Sequence, residues 1–265
     1  MEQASFITLG DGTRLAYRLE GAEDQPVLLL SNSIATDLHM WDDNVPELVQ
    51  HFRVLRYDLR GHGRSDAPVG AYSLDRLGRD VLELLDVLGI QQAHVLGISL
   101  GGLVGQWLAI HAPERVLRLV LSNTAAALGP AHIHEEAIAQ ALNAPDLKEA
   151  AEAFVRNWFP AGWVDEARPV VQRFRLGVER TPAVGLAGAR AAVRDVDLRR
   201  TIALIAAPTL VIAGRNDRVT TLAHSEEIAA TVPGARLCVL PAAHLPNIEQ
   251  PEAFISAVIE FLTAG

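Results

Sequence analysis

The apolar run Ala93-His94-Val95-Leu96 leads straight into Gly97-Ile98-Ser99-Leu100-Gly101 and on into Gly102-Leu103-Val104. A strand must therefore reach Ser99, reverse sharply and leave as a helix, the geometry of a nucleophile elbow. Side chains on either flanking residue would collide with the turning backbone, which explains a glycine on each side of the serine. The turn pushes the serine hydroxyl out at the strand's end, and it confines the chain to folds in which strands feed directly into helices. A five-residue pattern arises by chance often enough that its surroundings must decide its meaning.

A hydroxyl at its own pKa is a poor nucleophile at neutral pH, so it needs a base, and the base needs a carboxylate to orient it. The strand pattern Pro208-Thr209-Leu210-Val211-Ile212-Ala213 is followed by Gly214-Arg215-Asn216-Asp217, and Arg236-Leu237-Cys238-Val239-Leu240 by Pro241-Ala242-Ala243-His244. Each candidate lies just past the C-terminal end of a strand, where open α/β sheets gather their reacting groups. Alone, Asp217 reads as a turn aspartate after glycine, and His244 as a capping or surface histidine. Order and strand ends together select Ser99, Asp217 and His244 as a catalytic triad, in an order that neither chymotrypsin nor subtilisin has. Eight other histidines compete: His39, His51, His62, His94, His111, His132, His134 and His224. His94 falls within the strand feeding the turn and His111 in the helix after it, where packing or solvent exposure is expected.

Acyl transfer also needs donors aimed at the developing oxyanion. One is expected to be the backbone N–H of Leu100. The second is assigned to the N–H of Ile34, in the loop Ser31-Asn32-Ser33-Ile34-Ala35-Thr36-Asp37 after the strand Val27-Leu28-Leu29-Leu30. Asn32 and Ser33 are expected to hold that loop through side-chain to backbone bonds. The stretch Tyr57-Asp58-Leu59-Arg60-Gly61-His62-Gly63-Arg64-Ser65 has catalytic residue types, but its glycines favour a tight structural loop beneath the site.

With these residues in place, the sequence resembles the α/β-hydrolase superfamily over nearly its whole length. More narrowly, Leu30-Ser31-Asn32-Ser33-Ile34-Ala35-Thr36-Asp37-Leu38-His39-Met40-Trp41, the Ser99 turn, and His244-Leu245-Pro246-Asn247-Ile248-Glu249-Gln250-Pro251 resemble 3-oxoadipate enol-lactonases. Asn-Ser in place of the commoner His-Gly is the most telling feature. The resemblance implies an α/β-hydrolase fold, with a mostly parallel eight-stranded sheet flanked by helices and a helical cap. It also implies cofactor-free hydrolysis of a small enol-lactone in aromatic-compound degradation. Two positions depart from the family pattern. Ile34-Ala35 replaces Leu-Gly, adding a methyl group beside the pocket, and Pro246 stands where serine is common.

Along the chain, strands and helices alternate to about residue 125. Asp11-Gly12 marks a hairpin turn, and Leu77, Val81, Leu84, Leu85 and Leu88 form one apolar stripe on a helix. Residues 126–206 break the alternation with helices around Glu135–Leu142, Leu147–Asn157, Glu166–Gly177 and Val184–Arg194. The expected organisation is core (1–125), cap (126–206), core (207–265). The cap should decide the substrate. Trp158 is a candidate for substrate contact, with Phe159 and Trp163 beside it. Arg190 and Arg194, four apart on one helix, are candidate partners for a substrate carboxylate.

The chain has 265 residues, 32 acidic against 23 basic, for a net charge of −9, which disfavours nucleic acid and anionic membranes as partners. The expected partner is a small-molecule lactone or ester. The opening Met1-Glu2-Gln3-Ala4 lacks the basic start and apolar run of a signal peptide, so a cytoplasmic location is expected. The one cysteine, Cys238, forms no intrachain disulfide and is expected to pack in a strand. No H-E-x-x-H or paired-cysteine motif occurs, so no metal and no cofactor is expected. Two alternatives remain: a broad carboxylesterase, aryl-esterase or other lactonase with perhydrolase side activity, and a ligand sensor built on a hydrolase fold.

Overall fold

The computed structural model describes residues 5–264; the opening stretch 1–4, judged above for a signal peptide, lies outside them. Eight strands form one sheet: β1 (Ser5–Thr8), β2 (Arg14–Glu20), β3 (Val27–Ser31), β4 (Arg53–Tyr57), β5 (Ala93–Ile98), β6 (Val116–Ser122), β7 (Thr209–Gly214) and β8 (Arg236–Leu240). Their spatial order is β1-β2-β4-β3-β5-β6-β7-β8. The β1–β2 hairpin and the β2–β4 pair are antiparallel, and every later pairing is parallel. This is the expected mostly parallel eight-stranded sheet.

Alternation along the strands separates two apolar layers, because successive side chains leave opposite faces of the pleat. Leu29, Leu55, Val95, Leu119 and Val211 pack on one face, and Leu28, Val54, Leu96, Val120 and Leu210 on the other. The helices of the core are α1 (Val45–Leu48), α2 (Leu74–Val87) and α3 (Leu100–His111) in its first part. The first face is covered by Leu77, Val81 and Leu84 of α2 and by Leu103 and Trp107 of α3. Helix α2 starts at Ser73, whose hydroxyl accepts from the Arg76 N–H at 3.1 Å. Strand β5 is buried at all six residues, which is why it reads as a continuous apolar run rather than an alternating one.

Between β6 and β7 the chain makes a helical excursion: α4 (Ala131–Asn143), α5 (Lys148–Trp158), α6 (Ala161–Asp165), α7 (Pro169–Arg180) and α8 (Ala183–Asp195). Its two ends meet, since the Leu198 N–H donates to the Ala126 carbonyl at 2.7 Å and Ala127 bridges Asp197. The short helix α6 was not expected, and α7 begins at Pro169 instead of near Glu166. Ala167 adopts φ +50°, which ends one helix, and Pro169 restarts the next at a position where its missing N–H costs nothing. The core resumes with α9 (Leu222–Thr231), α10 (Pro246–Glu249) and α11 (Pro251–Thr263). Leu48 of α1 with Phe254 and Val258 of α11 covers the second face of the sheet.

Cys238 is half-buried rather than packed inside, because β8 lies at the sheet's edge. His94 packs edge-on against Phe52, with ring centres 5.7 Å apart, and His111 stacks on Trp107 at 4.5 Å. No described helix is long and apolar enough to cross a membrane.

Candidate active site

Ser99 sits between β5 and α3 with φ +56° and ψ −116°. A serine in that region stores about 1–3 kcal/mol of backbone strain, and the surroundings hold it there. Its N–H donates to the Ser122 carbonyl at 3.1 Å, and its carbonyl accepts from the Thr124 hydroxyl at 2.8 Å. The flanking glycines permit the close approach. A Cβ on Gly97 would lie 2.1 Å from the Gly101 carbonyl oxygen, and one on Gly101 would lie 2.1 Å from that of Ser31. Leu100 is the first residue of α3, so its N–H has no carbonyl within its own helix.

Asp217 and His244 come from loops 27 residues apart in sequence and meet at 2.8 Å, His244 Nδ1 to Asp217 Oδ2. Both are buried. The carboxylate also accepts from Asn123 Nδ2 at 2.7 Å and the Thr220 hydroxyl at 2.8 Å, while its other oxygen takes the N–H groups of Val219 and Thr220. Burial works to raise the Asp217 carboxyl, but the charge on His244 and the bonds from His244, Asn123 and Thr220 outweigh it and hold the group below its ordinary value. An ionised carboxylate can only accept, so Nδ1 carries a proton and Nε2 is the nitrogen left to act as base. The His244 backbone is fixed in turn, its N–H donating to the Trp158 carbonyl at 3.2 Å.

Sequence reasoning missed Asn123 and Thr220. Asn123 follows β6 in the left-handed region, φ +42°, and bridges three segments: Nδ2 reaches Asp217 and the Ala243 carbonyl at 3.0 Å, and Oδ1 accepts from the Gly214 N–H at 3.2 Å. The available signal was an asparagine at a strand end, the residue type that best tolerates such a backbone.

The loop carrying Ile34 is anchored partly as expected. Asn32 donates to the Tyr57 carbonyl and accepts from the Trp41 indole, both at 2.7 Å. Ser33 departs from expectation: its hydroxyl is buried with no partner among the described residues. The adjoining turn is closed by Thr36, whose hydroxyl donates to the Ser33 carbonyl at 2.7 Å. Ala35, the alanine in the family's glycine position, has φ +58°.

The Asp58–Ser65 stretch ties loops together. Asp58 accepts from the N–H groups of Leu38 and Arg64 at 2.7 and 2.8 Å, Arg60 pairs with Asp80 and Asp11, and His62 reaches the Arg60 carbonyl. Burial pushes the Asp58 carboxyl up to about 6, against the two backbone bonds. A cavity of about 430 Å³ opens beside this stretch, bordered by Ala35, Thr36, Asp58 and Phe174; Ser99, Asp217 and His244 do not line it.

Trp158 is 1% exposed, and its ring packs against Phe154 and Phe174. The structure thus places it inside the packing of the excursion, joined to His244 through its carbonyl and not through its ring. Arg194 forms a two-bond pair with its neighbour Asp195, while Arg190 lies over the Phe154 ring, 4.9 Å from its centre.

A family model described as the alpha/beta hydrolase fold matches residues 26–251. The chain is 41% identical to 3-oxoadipate enol-lactonase 2 of Acinetobacter baylyi, over 92% of its own length and 91% of the relative's. Among solved structures, a hydrolase from Pseudomonas aeruginosa superposes with a TM-score of 0.97 at 58% identity, covering 98% of both chains. An enol-lactonase from Burkholderia xenovorans superposes at 0.95 with 38% identity, covering 98% of this chain and all of that one.

Proposed function

Because the chain belongs to the α/β-hydrolase fold family and is a hydrolase of lactonase or esterase type, we propose that it opens a small lactone, 3-oxoadipate enol-lactone, through an acyl-enzyme on Ser99. In this reading His244 Nε2 takes the hydroxyl proton as Ser99 attacks the ring carbonyl, and the N–H groups of Leu100 and Ile34 receive the oxyanion. His244 then returns that proton to the departing ring oxygen, which stays attached through the same carbon chain, so the product remains tethered until water, activated by the again neutral His244, releases it. Asp217 remains ionised, fixes the imidazole tautomer and supports its positive charge. The helical excursion acts as the cap over the site.

The observation that carries this reading is the buried 2.8 Å contact of His244 Nδ1 with Asp217, in loops that follow β8 and β7 as Ser99 follows β5. The two enol-lactonase relatives support the choice of substrate. The test is a hydrolysis panel of 3-oxoadipate enol-lactone, neutral lactones and aryl esters, run with the native chain and with Ser99→Ala. The enol-lactone is expected to have the highest kcat/KM, with turnover falling at least 10³-fold in the variant, in keeping with the loss of a triad nucleophile. Equal turnover of aryl esters makes it a broad esterase, and a single burst without turnover makes it a sensor.

A further inference from the structure

A cavity of about 350 Å³ opens between the helical excursion and the loops after β7 and β8. Arg156, Asn157 and Phe159 border it from the excursion, and Asn216, Arg218 and Ala243 from the core. Among the described residues no acidic side chain lines it, in a chain whose net charge is −9. The cavity beside Ala35, by contrast, takes in Asp37, Asp42 and Asp58, and one beside Leu128 takes in Asp195, Asp197 and Glu227. The Arg218 side chain has no ion pair, hydrogen bond or ring contact among the described residues. Arg156 reaches only Glu152, in a pair exposed on both sides that holds either partner weakly. The exposed carboxamides of Asn157 and Asn216 make no hydrogen bond among the described residues. Asp217, the acid between Asn216 and Arg218, is buried and turns its oxygens to His244, Asn123, Val219 and Thr220. Two guanidiniums and two amide groups therefore face one space without an acid to answer them.

The walls of this cavity are sequence neighbours of Asp217 and His244. Asn216 and Arg218 flank the carboxylate residue, and Ala243 precedes the histidine. On the other wall, Asn157 and Phe159 flank Trp158, whose carbonyl accepts the His244 N–H at 3.2 Å. The core side is tied together from behind: the Asn216 N–H donates to the Ala242 carbonyl at 2.9 Å, and the Ala243 N–H to Glu249 Oε2 at 2.8 Å.

We propose that this cavity binds a phosphate group, free or carried by a small organic ester, and that its occupancy ties the excursion to the loops holding Asp217 and His244. A tetrahedral dianion presents oxygens in several directions, so it takes donors from Arg156 and Asn157 on one wall and from Asn216 and Arg218 on the other. A carboxylate has two oxygens in one plane and is answered by a single guanidinium fork, which leaves the opposite wall unbridged. The volume is that of a small-molecule site, with room for an organic remainder against Phe159. An anion held by both walls steadies the bond between Trp158 and His244 without touching a reacting group. The inference therefore stands apart from the hydrolytic reading of Ser99.

The experiment titrates inorganic phosphate, glycerol 3-phosphate and acetate into the native chain at pH 8 and constant ionic strength, reading the heat of binding and the thermal midpoint. Inorganic phosphate is expected to bind with a Kd of roughly 1 mM and, at about twentyfold excess over Kd, to raise the midpoint by about 3–6 °C. Acetate should do neither. Tighter binding of glycerol 3-phosphate identifies an organic ester as the ligand, and equal binding identifies the free ion. Arg218→Met should weaken phosphate roughly 10- to 100-fold, as the loss of a hydrogen bond between charged groups implies. Arg218→Lys should weaken it less, because an ammonium keeps the charge but not the fork. Arg180→Met removes the same charge from an exposed position outside the cavity and should leave binding as it is. Amide hydrogen exchange at residues 243–245 should slow when phosphate is present. Binding that survives Arg218→Met, equal effects of phosphate and acetate, or no binding of either phosphate compound overturns the site; unchanged exchange at 243–245 overturns the tie to the His244 loop.

Discussion

Asn123→Ala tests whether the carboxylate behind the imidazole is tuned by its neighbours. Asn123 Nδ2 lies 2.7 Å from Asp217 Oδ2 in a buried setting, and a hydrogen bond to a charged group contributes about 1.5–3 kcal/mol. Losing a bond that acts wholly on the ionised form therefore raises the Asp217 carboxyl. The sign follows from the present direction: Asp217 is held low, so its support is present above the unfolded value and is lost as pH falls through the folded one. In the variant that loss begins at higher pH. The assay is kcat/KM from pH 4 to 9, with thermal midpoints at each pH. The acid limb should move upward, and activity at neutral pH should fall about tenfold as the His244 loop loses its tie through the Ala243 carbonyl. Asn123→Gly, free of strain at φ +42°, separates backbone cost from the missing amide. An acid limb that stays in place in both variants, with kcat/KM within twofold of native, refutes the reasoning.

Asp58 provides a second pH test of opposite sign. Its carboxyl titrates near 6 when folded because burial disfavours the charge, so its contribution to stability is greatest below the unfolded value and declines as pH rises through 6. Asp58→Asn should remove that decline, narrowing the gap in stability between pH 4 and pH 7 by about 3 kcal/mol at most; parallel melting curves for the two proteins would count against it. Two backbone substitutions at positive φ should diverge. Ala35→Gly, at φ +58°, relieves left-handed strain and is expected to be neutral or stabilising by up to about 1 kcal/mol. Gly63→Ala would place a Cβ 2.3 Å from the Asp58 carboxylate and should cost more than about 2 kcal/mol in chemical denaturation.

The placement of Ser99, Asp217 and His244 just past the ends of β5, β7 and β8 was legible because each follows an apolar strand run, and the C-terminal ends of parallel strands share one edge of the sheet. The strand runs themselves were plain, since a sheet covered on both faces writes uninterrupted valine, leucine and isoleucine. Within the excursion the helices were visible but their starts were not. Alanine-rich sequence propagates a helix without marking its beginning, and the break at Ala167 depends on a backbone angle that alanine does not advertise. Asn123 was hidden because a single asparagine after a strand looks like any turn residue; its three bonds join β6 to two segments about 90 and 120 residues away. Spacing could not separate Arg190 from Arg194, which share a helix face. What separates them is the acid next door to the second and the aromatic ring beneath the first.

The side-by-side closure of Ala126 and Ala127 on Leu198 and Asp197 gives the excursion the geometry of a detachable module. Entry and exit points that touch one another impose no span on whatever lies between them, so β6 and β7 keep their register however long or short the inserted chain becomes. If the excursion covers the site as proposed for Ser99, the inserted chain can be exchanged wholesale while the groups at the strand ends stay in place. The same hinge point offers protein engineers a ready splice site.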